Sequence, residues 1–177
     1  MFTIASAKWF SVRVYKQDIT LEEGNMIKKV GKIIFVTFII LFTVLIFFFI
    51  SCPIVNDLSA KRAMKSIEDI PLPDNTRAVA KFSRAGKLVG NGNGMQFLGA
   101  VLLESELPLE ELDQYYSTYR ETQWDYIVQE QRTQDIDVIE HGSASFGTDM
   151  SNEKNYYIVF SWGEGISPFQ DFDIRGN

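Results

Sequence analysis

The sequence predicts an α+β fold in two parts: an N-terminal transmembrane or signal-anchor helix, and a small antiparallel sheet with one main helix on one face. Residues 33–51 form one uncharged apolar run. After residue 73, short apolar stretches alternate with turn residues, as in a small sheet. One amphipathic stretch near residues 109–119 lies among them and predicts the helix.

The apolar run IIFVTFIILFTVLIFFFIS is the most specific feature of the chain. No charged residue occurs from Ile33 through Asn56, and only Thr37 and Thr43 interrupt the apolar residues between Ile33 and Ile50. As a helix, residues 33–51 would span about 30 Å, the thickness of a bilayer core. A buried helix of a soluble protein usually keeps a polar stripe, which is missing here. The run therefore predicts a membrane span.

Charge predicts the orientation of this span. Lys28, Lys29 and Lys32 lie directly before it, whereas the next basic residue after it is Lys61. Basic residues close to a span favour the cytoplasmic side. We therefore expect a single-pass protein of the cell membrane with its C-terminal domain outside the cytoplasm.

The two parts of the chain differ in charge and exclude some functions. Six Lys+Arg and three Asp+Glu precede residue 33, and 11 and 20 follow it, so the parts carry +3 and −9. An acidic domain repels phosphate backbones, so we expect no nucleic-acid partner. One Cys and one His exclude a disulfide or a zinc cluster within the chain, and we expect no metal or cofactor. A domain outside the cell without disulfides favours a bacterial setting.

The segment from Met26 to Cys52 has a basic start, an apolar stretch and a small residue before the cysteine. Phe49-Ile50-Ser51-Cys52 resembles the lipobox of bacterial lipoproteins. That resemblance implies cleavage after Ser51 and lipidation of Cys52. The apolar stretch is long for a signal peptide, and Phe49 and Pro53 depart from the lipobox pattern. The alternative is an uncleaved transmembrane helix. Residues 86–96, GKLVGNGNGMQ, are similar to uncharacterised bacterial membrane-anchored proteins, which implies no activity.

Residues 1–32 form an N-terminal cytoplasmic leader in this interpretation, and residues 1–25 show no sustained periodicity. Glu22-Glu23-Gly24 can be encoded by a purine-rich sequence that matches the bacterial ribosome-binding consensus, just before the Met26 codon. Our hypothesis is that translation starts at Met26 and that residues 1–25 are not translated.

The remaining elements follow the span in order. Residues 52–73 predict a stalk, or a helix that packs on the domain, and a proline-containing linker. Residues 74–177 predict the extracytoplasmic α+β domain. Its helix opens near Pro108, with Ser105 as its cap and Glu110 and Glu111 in its first turn. Strands are expected at 76–84, 95–105, 124–131, 136–141, 143–146 and 155–162, and residues 165–177 are expected to lie over the surface.

The glycine-rich loop Gly90–Gly94 and the lone His141 are weak site candidates. A dinucleotide or phosphate loop needs a following helix, whereas a strand is expected after Gly94, so a hairpin loop is favoured. His141 precedes Ser143 and Ser145, but no GxSxG motif occurs. We therefore assign no catalytic residue.

Two Asp-x-Asp pairs, Asp135 with Asp137 and Asp171 with Asp173, could hold a cation, but solvated edges are the more usual role. Five aromatic residues are expected to fill the core: Trp124, Tyr126, Tyr156, Tyr157 and Trp162.

These observations predict a membrane-anchored, non-enzymatic binding module whose partner is an envelope protein, a peptide or a wall polymer. The alternatives are a lipoprotein anchored through Cys52, and a small enzyme or sensor that uses acidic residues. Convergent carboxylates in a cleft would favour the enzyme, and a flat apolar patch would favour binding.

The mass of the mature protein distinguishes the two anchors. If the helix is retained, intact-mass measurement shows residues 33–51 present with Cys52 unmodified, and Cys52→Ala changes neither size nor location. If Cys52 is lipidated, the mature chain begins at Cys52, and Cys52→Ala leaves an uncut precursor in the membrane. Fractionation alone does not distinguish them, because acyl chains and an apolar helix both anchor firmly.

Overall fold

The computed structural model describes residues 4–120, 124–150, 153–163 and 167–176, with side chains from Gly24 onward. The chain divides into two units, Met1–Phe48 and Phe49–Asn177. Helix α1, Ile4–Glu68, begins in the first and ends in the second. Residues 1–3 of the predicted leader lie outside the described residues, and the backbone of its remainder is helical.

Helix α1 contains a segment that is long and apolar enough to cross a membrane. The side chains of residues 33–47 are exposed on every face, as the sequence predicts for a segment surrounded by lipid. Thr43 Oγ1 donates to the Ile39 carbonyl at 2.8 Å, which satisfies one of the two threonine hydroxyls locally.

The second unit contains an antiparallel sheet of four strands among its described residues, in the order β1-β2-β4-β3. The strands are β1, Thr76–Gly86; β2, Gln96–Ser105; β3, Ile127–Glu130; and β4, Tyr156–Trp162. The short helix α2, Leu109–Ser117, lies between β2 and β3 in the chain. The predicted α+β class is therefore confirmed.

The sheet is buried on both faces. Its helical face packs against α2 and the end of α1, through Ile67, Leu112 and Tyr116. Its other face is covered by loops, through Leu88, Ile136 and Ile139. The near-continuous apolar sequence of β2 follows from this, because successive side chains of a strand alternate between two covered faces. The five aromatic residues expected in the core are buried or pack against it: Trp124, Tyr126, Tyr156, Tyr157 and Trp162.

Two predicted strands do not form. Residues 136–141 and 143–146 form no strand, and an isolated bridge joins Ser145 to Asp135, just before the first of these segments. Ile139 N donates to the Ile136 carbonyl at 3.2 Å, so the chain turns there instead of extending. This turn places Ile136 and Ile139 on the same side, and both are buried in the loop-covered core.

Helix α2 begins without the predicted serine cap. Pro108 occupies the N-cap position and makes no side-chain cap bond. The Ser105 hydroxyl instead accepts from Leu107 N at 3.1 Å and is paired with the Thr76 hydroxyl at 2.6 Å. The acidic first turn, Glu110 and Glu111, is as expected.

The C-terminal segment does not trail over the surface. Residues 165, 166 and 177 lie outside the described residues, but residues 167–176 are held against the domain. The Arg175 carbonyl accepts from Lys87 N at 2.9 Å, and the Gly176 carbonyl accepts from Gly94 N at 2.7 Å. Ser167, Asp173 and Gly176 are buried. The prediction was wrong because it relied on periodicity, whereas isolated polar side chains hold this segment.

Strand β1 is an edge strand of this sheet. Its register with β2 shifts between Ala78 and Ala80, so Val79 forms a bulge. Arg77, Lys81 and Arg84 on the strand are exposed.

Helix α1 approaches β2 most closely at Gly99. A Cβ at Gly99 would lie 2.0 Å from Met64 N and 2.3 Å from the Ala63 carbonyl carbon, both backbone atoms of the helix. Ala60 and Ala63 are buried on this face of the helix, with exposures of 1% and 0%. Only small residues permit such a close approach, so the helix lies almost directly on the strand.

Gly99→Ala should destabilise the folded protein by about 3 kcal/mol, because the helix backbone must move to admit the methyl group. Chemical unfolding of the full chain in detergent, followed by tryptophan fluorescence, measures this change. Gly92→Ala is the matched control, since nothing lies within 4 Å of its added Cβ. Equal stability of the two variants would contradict the close approach.

Candidate functional site

A polar concavity lies at the end of the sheet where β1 and β4 begin and β2 ends. Two adjoining cavities of about 560 and 390 Å³ share Lys154 and Asn155 in their linings. We call them together the terminal groove. Its first part is lined by residues 75–77, 104–106 and 153–155, and its second by residues 130–132, 150 and 154–157.

Strand pairing and backbone bonds build the terminal groove. Arg77 lies opposite Glu104 in the β1–β2 register, and Glu104 lies opposite Tyr156 in the β2–β4 register. The Asn75 carbonyl accepts from Glu106 N at 3.2 Å, and the Asn155 carbonyl accepts from Ser105 N at 3.2 Å. Asn75 has a φ of 57°, a left-handed conformation that asparagine tolerates better than most residues. Three chain segments are thereby held side by side.

Glu104 is the central carboxylate of the groove. It accepts from Arg77 Nη2 at 2.5 Å through one oxygen and from Lys154 Nζ at 2.8 Å through the other. Its side chain is 18% exposed, whereas those of its two partners are 62% and 46% exposed. The hydrogen bonds from Arg77 and Lys154 hold the pKa of Glu104 below its usual value. Glu104 therefore stays ionised at neutral pH and presents two exposed cations at the groove surface.

The remaining charges of the groove are of both signs. Glu106 and Glu153 lie in its first part, and a Glu130–Arg132 pair at 2.9 Å lies in its second. The groove offers donors and acceptors for a polar ligand. Nucleophilic catalysis would need an activated nucleophile and a positioned base. The described lining contains no histidine or cysteine for these roles.

The glycine-rich loop is the connection between β1 and β2, as the hairpin interpretation expected. Gly90 has a φ of 72° and Gly94 a φ of 146°, conformations that favour glycine. The Gln96 side-chain oxygen accepts from Leu88 N and Val89 N at 2.8 Å each. These contacts give the loop a structural role.

His141 lies in the connection between β3 and β4 and contacts the glycine-rich loop. Its Nε2 lies 2.6 Å from the Gly90 carbonyl oxygen, and its backbone N donates to the Leu88 carbonyl at 2.9 Å. The two serines that follow have other contacts: the Ser143 carbonyl accepts from Arg84, and the Ser145 hydroxyl accepts from Gly147 N. The structure thus places His141 as an anchor of the loop.

The two aspartate pairs have different environments. Asp135 and Asp137 are exposed, and the Asp135 carbonyl accepts from Gln131 Nε2 at 2.5 Å. Asp171 is exposed, but Asp173 is buried and paired. No group of three or more His, Cys, Asp or Glu residues suited to a metal occurs among the described residues.

Cys52, the candidate lipidation site, is buried inside helix α1. Its exposure is 1%, and it lines an apolar cavity of about 250 Å³ with Phe49, Pro53 and residues 172–175.

A buried polar cluster holds the C-terminal segment to helix α1. Asn56, with 0% exposure, donates to Asp173 Oδ2 at 2.8 Å and accepts from the Ser167 hydroxyl. Arg175 donates to Asp173 Oδ2 at 2.8 Å, to Asp57 Oδ1 at 2.9 Å and to the Pro53 carbonyl at 3.1 Å. We call these residues the C-terminal clasp. Its buried side chains are mutually hydrogen-bonded, as buried polar groups require.

The clasp shifts the pKa values of its charged members. The hydrogen bonds from Arg175, together with the one from Asn56, lower the pKa of Asp173 to about 2. The bonds to Asp173 and Asp57 raise the pKa of Arg175. Asp173 and Arg175 therefore stay ionised over the whole physiological range.

Sequence reasoning missed both Glu104 with its partners and the clasp. The clasp had one weak signal: Asn56 is an amide just beyond an uncharged apolar run, where a buried polar group needs a partner. The terminal groove had no such signal in the sequence, because its charged residues come from three separated segments of the chain.

Comparisons with protein-family models, with curated proteins and with solved structures find no match to this chain.

Asp173→Asn should lower the free energy of unfolding by about 2 kcal/mol at neutral pH, because it removes a carboxylate with a lowered pKa. The folded pKa, about 2, lies below the ordinary value of 3.8. The stabilisation by Asp173 is therefore present above about pH 4 and lost as the pH falls toward 2. Unfolding curves of both proteins between pH 7 and 2 measure this. Asp171→Asn is the exposed control and should have little effect; a pH-independent difference for Asp173→Asn would contradict the assignment.

Proposed function

We propose that the chain is a single-pass membrane protein whose C-terminal domain lies outside the cytoplasm and binds another envelope component through the terminal groove, without catalysis. The observation that carries this proposal is the pairing of Glu104 with both Arg77 and Lys154. It makes the groove a fixed array of charges.

The anchor is supported by the apolar part of helix α1, whose side chains are exposed. A water-exposed surface of this kind is unfavourable, so a bilayer is its natural surrounding. Lys28, Lys29 and Lys32 support the proposed orientation, with the domain outside.

Binding is supported over catalysis by the direction of the pKa shift at Glu104. A carboxyl that acts as a general acid near neutral pH needs a raised pKa. The hydrogen bonds from Arg77 and Lys154 lower the pKa of Glu104 instead. A carboxylate of this kind orients the two cations for binding a ligand. To transfer a proton near neutral pH, Glu104 would have to give up its hydrogen bonds with them.

The charges of the groove favour a partner that itself carries both signs. Exposed cations at Arg77 and Lys154 lie beside carboxylates at Glu106 and Glu153. A peptide segment of another envelope protein meets this pattern, since neighbouring side chains can supply both charges. The acidic balance of the domain, −9 after residue 33, disfavours a polyanionic partner.

Two substitutions at position 106 test the proposal: a cysteine tests the membrane orientation of the domain, and a photoreactive residue tests the identity of the partner. Glu106 is exposed and lines the groove, and Cys52 is buried. A membrane-impermeant maleimide should therefore label Glu106→Cys on intact cells. A photoreactive amino acid at position 106 should then form a protein adduct in living cells.

Arg77→Ala with Lys154→Ala should reduce the adduct several-fold, because two groove cations are removed. Lys61→Ala with Arg62→Ala is the matched control, with one lysine and one arginine removed elsewhere on the exposed surface. Labelling only after cell lysis would overturn the orientation. An adduct that is insensitive to the groove variant would overturn the groove as the binding site, and an adduct with wall polymer would replace the protein partner.

A further inference from the structure

Large exposed apolar side chains gather at one end of the unit Phe49–Asn177. Within the described part of this unit, Leu58 continues the exposed face of helix α1 one turn beyond Ile54, and Leu72 lies beyond the end of the helix. The others come from two chain segments that meet at the apolar cavity beside Cys52: Phe49, Ile50 and Ile54 from helix α1, and Phe172 and Ile174 from the C-terminal segment. Ile174 is 79% exposed, the highest value of any of them.

The C-terminal clasp fixes the orientation of Phe172 and Ile174. Asp173 between them is extended, with φ −90° and ψ 117°, and its side chain points inward to Asn56. Asp173 is 4% exposed, whereas Phe172 and Ile174 on either side of it are 55% and 79% exposed. Phe172 and Ile174 are therefore directed outward by the same bonds that bury Asp173. The hydrogen bonds of the C-terminal clasp therefore hold both side chains in exposed positions.

The covalent structure of helix α1 sets the level at which these side chains lie. Arg175 donates to the Pro53 carbonyl, and Phe172 and Ile174 line one cavity with Phe49. Pro53 is two residues beyond the end of the apolar run, a rise of about 3 Å along a helix. The headgroup layer on each side of a bilayer core is about 5–8 Å thick. Side chains that contact residues 49–53 thus fall at the boundary of acyl chains and headgroups when the run spans the core.

We propose that Phe172 and Ile174 form, with Ile50 and Ile54, a bilayer-contact surface that inserts into the outer lipid boundary and seats the domain on the membrane. The inference rests on the membrane anchor of the proposed function. The occupant is lipid, because the surface is continuous with the apolar run that would span the core. The domain then has a fixed position against the bilayer, and the C-terminal segment contributes to membrane anchoring.

The test uses the full chain in vesicles of phosphatidylglycerol and phosphatidylethanolamine, in a Cys52→Ala background. Single cysteines replace Ile174, Leu72 and Phe42, and each carries the same environment-sensitive fluorophore. Leu72 is the matched control, a 46% exposed apolar residue of the same unit beyond the end of α1. Phe42 reports the middle of the apolar run. A lipid-attached quencher and a water-soluble quencher are compared at each position.

The fluorophore at position 174 should be quenched several-fold more by the lipid-attached quencher than the one at 72, and correspondingly less by the aqueous quencher. If position 42 reports lipid while 174 behaves like 72, the seat is overturned and the anchor stands. If 174 is shielded from both quenchers, protein covers the surface and lipid does not. If 42 is itself accessible to water, the anchor fails as well. Phe172→Cys, also on the C-terminal segment and 55% exposed, is a second probe of the lipid contact in case Ile174→Cys alters the clasp.

Discussion

The contact between helix α1 and strand β2 at Gly99 determines how the second unit is organised. The absence of a side chain at Gly99, with Ala60 and Ala63 on the facing helix, brings the two backbones together. This closeness covers one face of the sheet, and it fixes the helix residues from which the clasp reaches the C-terminal segment. A domain without residues 52–68 would lose both, so the last turns of α1 belong to the fold as well as to the connection.

The fold class was predictable because burial on two faces leaves a strong pattern. The apolar sequence of β2 and the face of α2 that contains Leu112 and Tyr116 both show it. The packing face of α1 was not predictable, because most of its buried residues are small or polar: Cys52, Asn56, Ser59, Ala60 and Ala63, beside the larger Ile67. A hydropathy pattern gives more weight to Ile54 and Leu58, which are exposed. Close packing selects for small size there, and hydrophobicity alone does not reveal it.

The candidate site was less predictable than the fold, for a reason of chain distance. Arg77, Glu104 and Lys154 meet only after β1, β2 and β4 pair in one register. Asn56 bonds to Asp173, 117 residues away in the chain. Local sequence gives no sign of such pairs. The isolated motifs that sequence did single out, the loop Gly90–Gly94 and His141, proved to hold each other in place.

The bulge in β1 affects how this edge strand could pair with a strand of another copy of the chain. Proteins confined to a membrane meet each other in two dimensions, at high local concentration and in a common orientation. A straight, uncharged edge strand in that setting would invite neighbouring copies to add their own strands and grow into fibres. The interrupted register at Val79 would leave the backbone groups of such an added strand mismatched. On the proposed membrane anchor, the irregularity of this strand would disfavour strand pairing between neighbouring copies.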